Sequence, residues 1–241
     1  RLFQSHFFSE SPKESSFKEG GYYRPLVMLL YTFEYSLWRE SPLGYHLRSL
    51  LLHLLNVFLV YLFLEVLFHS EGISLLGSLL YAASPLHVEA VSYLPSSGDL
   101  LATFFALGTF HLFVSKRALW RSVSPFCFLL GLLCKESIVI FPLVLSVYVF
   151  SRPKDVQRRG PLLAHWALLF GYLAVRFLLF PFPKETLWEE ETPLFLRVLS
   201  IGSVLLGYLR LLLFPYPLHL ESSVSFQSAL WTTGATFVGV L

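Results

Sequence analysis

Seven ionisable residues stand out because they sit in or beside apolar sequence: Arg24, His87, Glu89, Asp99, Lys135, Glu136 and Arg176. A charged side chain in such a setting is costly unless it faces protein, water or a partner. Arg24, Lys135 and Arg176 are cations that can hold a phosphate through charge-assisted hydrogen bonds, Arg in a bidentate way. Glu89, Asp99 and Glu136 are carboxylates, and a carboxylate placed against an acceptor hydroxyl can act as its general base. His87 and Glu89 are two apart, so they share a face on an extended segment but not on a helix. They form an HxE pair without an identifiable third ligand, so a bound metal is not expected. Each residue also has a purely structural reading. Arg24, beside Tyr and Pro, can anchor at lipid headgroups. Lys135 and Glu136 can be an ion pair that turns a hairpin, Arg176 can snorkel, and Glu89 and Asp99 can cap helices. His46, His53 and Asn56 fall on one helical face and suit interhelix hydrogen bonds. His69, His111, His165 and His219 are isolated. No phosphate-binding glycine loop, dinucleotide fingerprint or nucleophile elbow is present.

The elements that must position these residues are membrane helices. Only 14% of the 241 residues are charged and 55% are hydrophobic, where a soluble domain carries about 25% charge. Residues 72–88, 100–115, 160–175 and 222–241 contain no Asp, Glu, Lys or Arg. Several such runs, each near the roughly 20 residues that cross a bilayer, predict an all-α polytopic membrane protein. Soluble enzymes, secreted mini-proteins and nucleic-acid binders are excluded, and a net charge of +2 gives no reason to expect a polyanion partner. Cys127 and Cys134 are too few for a disulfide framework. The first residue is Arg and the last run stops abruptly, so the sequence is expected to be incomplete at both ends.

Residues 1–45 read as an external loop followed by an interfacial helix over Leu26–Trp38, started by Pro25. Residues 46–241 read as the transmembrane domain. Its segments are expected at His46–Phe68, Ile73–Tyr93, Asp99–Ser115, Arg121–Cys134, Ile138–Phe150, Leu162–Phe180, Phe195–Phe214 and Ala229–Leu241. Lys116, Arg117 and Arg121 cluster in one loop, and Arg152, Lys154, Arg158 and Arg159 in another. Cytoplasmic loops collect Lys and Arg, so both should be cytoplasmic and Ser84–Gly98, with neither, external. Arg121–Phe150 must then go in and return as a short hairpin with its apex near Lys135 and Glu136. This arrangement brings all seven ionisable residues towards the external face. Phe195–Phe214, flanked by the polar loops Lys184–Thr192 and His219–Ser225, is expected to re-enter or to lie in the interface.

Several strings resemble a known family. They are Tyr23-Arg24-Pro25-Leu26; His46-Leu47 with Leu51-Leu52-His53 and Asn56; Ser84-Pro85-Leu86-His87-Val88-Glu89-Ala90-Val91 leading to Gly98-Asp99-Leu100-Leu101-Ala102; Leu133-Cys134-Lys135-Glu136-Ser137 with Pro142-Leu143; and Tyr208-Leu209-Arg210-Leu211-Leu212-Leu213-Phe214-Pro215. In order and spacing this is similar to the TMTC-type (transmembrane and tetratricopeptide-repeat) O-mannosyltransferases and their prokaryotic relatives, over most of residues 22–222. Two positions depart from that pattern: Ser84 stands where a His is usual, and Gly98 where an Arg precedes the Asp.

The resemblance implies a partial GT-C glycosyltransferase bundle. Such an enzyme moves a sugar, mannose by the resemblance, from a polyprenyl- or dolichyl-phosphate carrier to an acceptor hydroxyl of a protein or glycan on the external or lumenal side. It implies membrane lipid and the lipid-phosphate sugar as partners, a bacterial or archaeal plasma membrane or the endoplasmic reticulum as location, and a main catalytic carboxylate before Arg1. Metal dependence is left open. Arg24, Lys135 and Arg176 would bind the donor phosphate, and Asp99, Glu89 and His87 would line the sugar or acceptor side. A transporter or lipid flippase is the competing class; a non-catalytic scaffold of the same fold is a third.

Overall fold

The computed structural model describes residues 24–152, 156–179 and 194–215. The loop expected before residue 24, Lys154, the loops Lys184–Thr192 and His219–Ser225, and the last segment Ala229–Leu241 lie outside these residues. Nine α-helices are described: α1 Pro25–Trp38, α2 Pro42–Phe68, α3 Glu71–Ala83, α4 Val88–Ser92, α5 Ser97–Val114, α6 Ala118–Cys134, α7 Phe141–Phe150, α8 Arg159–Leu179 and α9 Leu194–Leu213. There is no strand among the described residues. Pro42–Phe68, Leu94–Val114 and Arg159–Leu178 are long and apolar enough to cross a membrane. The chain divides into two compact units, Arg1–Ala83 with Ala90–Pro183, and Ser84–Glu89 with Lys184–Leu241.

The prolines set the helix boundaries. Pro42 takes the first position of α2, four residues before the expected start at His46, because its missing N–H is no loss there. The expected single span Ile73–Tyr93 is corrected: α3 ends at Ala83. Pro85 drives Ser84 into extended backbone (φ −66°, ψ 123°), as the residue before a proline tends to go. A 3₁₀ turn Pro85–His87, the short α4 and a second 3₁₀ turn Leu94–Ser96 follow. Pro125 lies inside α6, where it removes the donor for the Arg121 carbonyl.

In the first unit α2 packs on α3 and α5, α5 on α6, and α8 on α6 and α7. Two apolar clusters form its centre. One joins Val27, Ala102, Phe128, Leu132, Ile138 and Leu169, and the other Phe110, Phe113, Leu145, Tyr148, Val149 and Leu162; Phe141 and Trp166 touch both. A Cβ on Gly77 would lie 2.4 Å from Leu64 Cδ1, so glycine is what lets α3 approach α2 this closely.

The polarity of α1–α3 is inverted relative to a soluble protein. Their buried faces carry Glu34, Ser49, His53, Asn56, Ser74 and Ser78, while Leu29, Phe33, Leu51, Leu54, Phe58, Leu76 and Leu80 are exposed. Exposed leucine and buried serine are stable only where the surroundings are apolar, which makes this an integral membrane protein by packing as well as by composition. His53 Nε2 lies 3.4 Å from the Ala82 carbonyl and Asn56 Nδ2 donates to the Leu100 carbonyl at 2.9 Å. His46 is exposed; the buried polar face runs through Ser49 instead, four and seven residues before His53 and Asn56.

Ser124 and His165 tie α6 to α8. His165 Nδ1 sits 2.7 Å from the Pro161 carbonyl and Nε2 3.2 Å from Ser124 Oγ. Only an N–H can meet a carbonyl so closely, so we assign the proton to Nδ1, and Nε2 accepts from Ser124. Ser124 Oγ also lies 3.1 Å from the Arg121 carbonyl that Pro125 leaves without a helix donor. Ser124→Ala strands a buried imidazole nitrogen. It is expected to destabilise by about 1–3 kcal/mol, read as a lowered melting temperature in detergent; an unchanged melting temperature would mean that this contact does not hold the helices.

Candidate functional site

At one end of the first unit the chain gathers α1, the start of α5 and the turn between α6 and α7. The turn is where the sequence places the hairpin apex. Helix α6 ends at Cys134, Lys135 is extended (φ −157°, ψ 142°), and a 3₁₀ turn Glu136–Ile140 leads into α7. Residues 135 and 136 are adjacent and reach different partners. Lys135 Nζ donates to Asp99 Oδ1. Arg24 donates from both Nε (3.3 Å) and Nη2 (3.1 Å) to Glu136 Oε2. Asp99 lies in the first turn of α5, where the helix dipole favours its charge.

Both pairs are half-open. Side-chain exposure is 30% for Lys135 and 41% for Asp99, and 27% for Arg24 and 37% for Glu136. Four of the seven residues singled out in the sequence are therefore in direct contact, two cations with two carboxylates. Arg24 has a protein carboxylate for a partner and is not solely a headgroup anchor.

Arg176 is 7% exposed. It forms one wall of a groove of about 420 Å³ between α6 and α8, lined also by Leu129, Leu133, Leu168, Gly171, Tyr172 and Val175. One lining residue, Leu133, lies two positions before Lys135 in the sequence. An apolar groove with a guanidinium in its wall suits an amphiphile with an anionic head. His87 and Glu89 belong to the second unit. His87 closes the turn Pro85–His87 and Glu89 lies in the first turn of α4, so the pair is on helical backbone, where residues two apart do not share a face. Among the described residues no three of His, Cys, Asp and Glu converge as a metal site would require.

Three residues of this end went unassigned in the sequence. Tyr31 lies within hydrogen-bonding distance of the Leu94 carbonyl (2.5 Å) and Ser97 Oγ (2.7 Å). Glu34, 1% exposed, meets Arg48 Nε at 2.8 Å. The Glu34 carboxyl is held above the usual carboxylate range by burial, which outweighs the opposing pull of Arg48. Tyr31 is likewise raised, mainly by burial. The available signal was helical spacing: Val27, Tyr31, Glu34 and Trp38 follow the period of one helix face, and that face carries a carboxylate. Arg48, two residues beyond a His in an apolar helix, gave none.

At the opposite end the two basic loops meet. Arg121 Nη2 donates to Gln157 Oε1 at 3.1 Å, and Arg121 Nη1 to the carbonyls of Ser115 and Lys116. Arg158 donates to the Val114 carbonyl at 2.7 Å and Arg152 to the Val66 carbonyl at 3.3 Å. Arginines thus satisfy the last carbonyls of α2 and α5.

The chain is similar to protein O-mannosyl-transferases of the TMTC type, the family its motifs resemble. It is 29% identical to Protein O-mannosyl-transferase TMTC3 of Homo sapiens over 154 residues, covering 61% of this chain and 16% of that protein. It is 23% identical to Protein O-mannosyl-transferase F38B6.6 of Caenorhabditis elegans over 239 residues, 96% of this chain and 34% of that protein. It is 28% identical to Protein O-mannosyl-transferase Tmtc2 of Drosophila melanogaster over 240 residues, 93% of this chain and 25% of that protein. The chain therefore spans about a sixth of the length of the first, about a third of the second and a quarter of the third. No protein-family profile matches it, and no solved structure matches it.

Proposed function

We propose that this chain, similar along most of its length to protein O-mannosyl-transferases, is part of a GT-C-type membrane glycosyltransferase. It would move a sugar, mannose by analogy with the names of its relatives, from a polyprenyl- or dolichyl-phosphate carrier to a hydroxyl of a protein or glycan acceptor on the external or lumenal face. The observation that carries the reading is the meeting of Arg24, Asp99, Lys135 and Glu136 at one end of the first unit, together with an apolar α6–α8 groove that has Arg176 in its wall.

In this reading the groove takes the start of the lipid tail, and Lys135, Arg176 and Arg24 face the phosphate. The acceptor oxygen attacks the anomeric carbon, a new C–O bond forms, and the bond from that carbon to the phosphate oxygen breaks. The phosphate leaves with the electron pair, its charge stabilised by the cations, and a carboxylate takes the acceptor proton. Asp99 is the carboxylate of this end that we assign to that role; Glu89 and His87 are kept on the sugar or acceptor side.

The test is transfer itself. Full-length protein in liposomes, given polyprenyl-phosphate mannose labelled in the sugar and a hydroxyl acceptor, is expected to put label into the acceptor. Movement of the labelled lipid between leaflets without transfer would make the protein a flippase and overturn the reading.

The contacts of the basic loops support a reading of sidedness. Arg121 and Gln157 meet at one end, so both loops lie on one side, and the positive-inside rule makes that side cytoplasmic. Ser92 and Ser151 are both exposed, whereas Ser97 is fully buried and unsuitable as a probe. An impermeant thiol reagent is expected to mark Ser92→Cys and not Ser151→Cys in intact cells or sealed right-side-out vesicles. Labelling of Ser151→Cys alone would invert the topology.

A further inference from the structure

The charged end has no excess of positive charge in its paired groups. Lys135 is matched by Asp99 and Arg24 by Glu136, so a phosphate arriving there meets cations already in use. The two pairs are not equally easy to open. Arg24 sends two hydrogen bonds from a planar guanidinium to one oxygen of Glu136, a fork that holds α1 against the hairpin. Lys135 presents a point charge on a flexible four-carbon stem, and its pair with Asp99 is the more open of the two by the exposure of its carboxylate, 41%. Half-exposed pairs of this kind are weakly held. A phosphate offers more acceptor oxygens and more charge than a carboxylate, and it can recruit Arg176 as well.

We propose that a phosphate entering this end takes Lys135 from Asp99, and that Asp99 is thereby released as the base for the acceptor hydroxyl. The inference rests on the reading above that this end binds a lipid phosphate, and it adds the order of events. While Lys135 donates to Asp99 Oδ1, that oxygen is occupied and a cation is held against the carboxylate. When the phosphate draws Nζ away, Asp99 remains at the first turn of α5, with Oδ1 uncovered. Donor binding then switches on the base, and the acceptor is engaged second. No co-reactant is needed, because the exchange only redistributes hydrogen bonds.

The measurement is the chemical reactivity of Asp99 in full-length protein. A water-soluble carbodiimide with an amine nucleophile modifies accessible carboxyls, and peptide mass spectrometry reads the yield at residue 99. Polyprenyl monophosphate is the probe, and its binding is followed separately by retention of radiolabelled lipid. Binding with a several-fold rise in Asp99 modification is the expected result. In Lys135→Met the modification is expected to be high already and insensitive to the probe, while Lys135→Arg restores the dependence. Probe binding with no change at Asp99 in the wild type overturns the exchange and leaves the phosphate site standing. Failure of the probe to bind overturns the phosphate reading and the exchange with it.

Discussion

The double variant Lys135→Met, Arg176→Met is expected to lose most sugar transfer while remaining folded. Each charged hydrogen bond to phosphate is worth about 1.5–3 kcal/mol, and each 1.36 kcal/mol is roughly tenfold in rate. Two lost contacts should therefore reduce kcat/KM for the donor by about a hundredfold or more. Folding survives for two reasons. Asp99, left without Lys135, is 41% exposed and can be hydrated. Met at position 176 keeps an unbranched apolar stem in a wall already made by Leu133, Leu168 and Tyr172. Steady-state kinetics against donor concentration, together with a melting curve, separate the two effects. Full transfer by a well-folded double variant would show that these charges are structural. Asp99→Asn is expected to lower kcat at saturating donor while donor binding tightens, because Lys135 no longer has to leave a carboxylate; a fall in kcat without weaker binding is the pattern of a group acting in the transition state.

The largest effect on stability is expected at Arg48. Its guanidinium and the Glu34 carboxylate form an ion pair 11% and 1% exposed, with no further hydrogen-bond partner for either among the described residues. Removing one member of such a pair leaves an uncompensated buried charge, at a cost of about 3–5 kcal/mol. Arg48→Met should therefore lower the melting temperature strongly, and Glu34→Met, Arg48→Met together much less, because the pair was not strongly stabilising to begin with. A double-mutant cycle on the melting free energies reads the difference. The pH dependence has a definite sign. Burial raises the folded-state pKa of Glu34 above its unfolded value, so its contribution is full below the unfolded carboxyl range and falls as pH rises through the folded pKa. Arg48→Met removes the one favourable charge and should enlarge that fall and carry it to higher pH. A single variant as stable as wild type from acidic to neutral pH would show that Glu34 is not held as described.

The charged end depends on this pair because α1 is a strap fastened at three points. Arg24 bonds to Glu136, Tyr31 reaches Leu94 and Ser97, and Glu34 meets Arg48. Between them Val27 packs over Gly98, whose added Cβ would stand 3.4 Å from Val27 Cγ2 and 3.8 Å from the Cys134 carbonyl. The resembled family usually carries an arginine at that position. Here the glycine is buried under α1, and the cation beside Asp99 comes from the hairpin, as Lys135.

The periodic content of the chain was legible residue by residue. Charge-free runs announced α5 and α8, Pro25 the start of α1, and the meeting of Lys135 and Glu136 with two apolar arms the hairpin apex. The two basic clusters placed residues 116–121 and 152–159 on one side, and the contact from Arg121 to Gln157 joins them. These features are local or follow from counting, since bilayer thickness sets segment length and parity sets which loops share a face. The break after Ala83 was legible too, in Pro85, but the hydrophobicity of 73–93 masked it.

Pairing was decided only by the tertiary structure. Seven ionisable residues in one list do not say that Lys135 turns to Asp99 while its neighbour Glu136 turns to Arg24, because adjacent residues at an extended corner point in different directions and their partners are 36 and 112 positions away. Nor does sequence say that Glu34 faces inward against Arg48. A helix with apolar residues on most sides can bury any face, and in a membrane the polar one is chosen, because a carboxylate and a guanidinium find each other there and find no water outside.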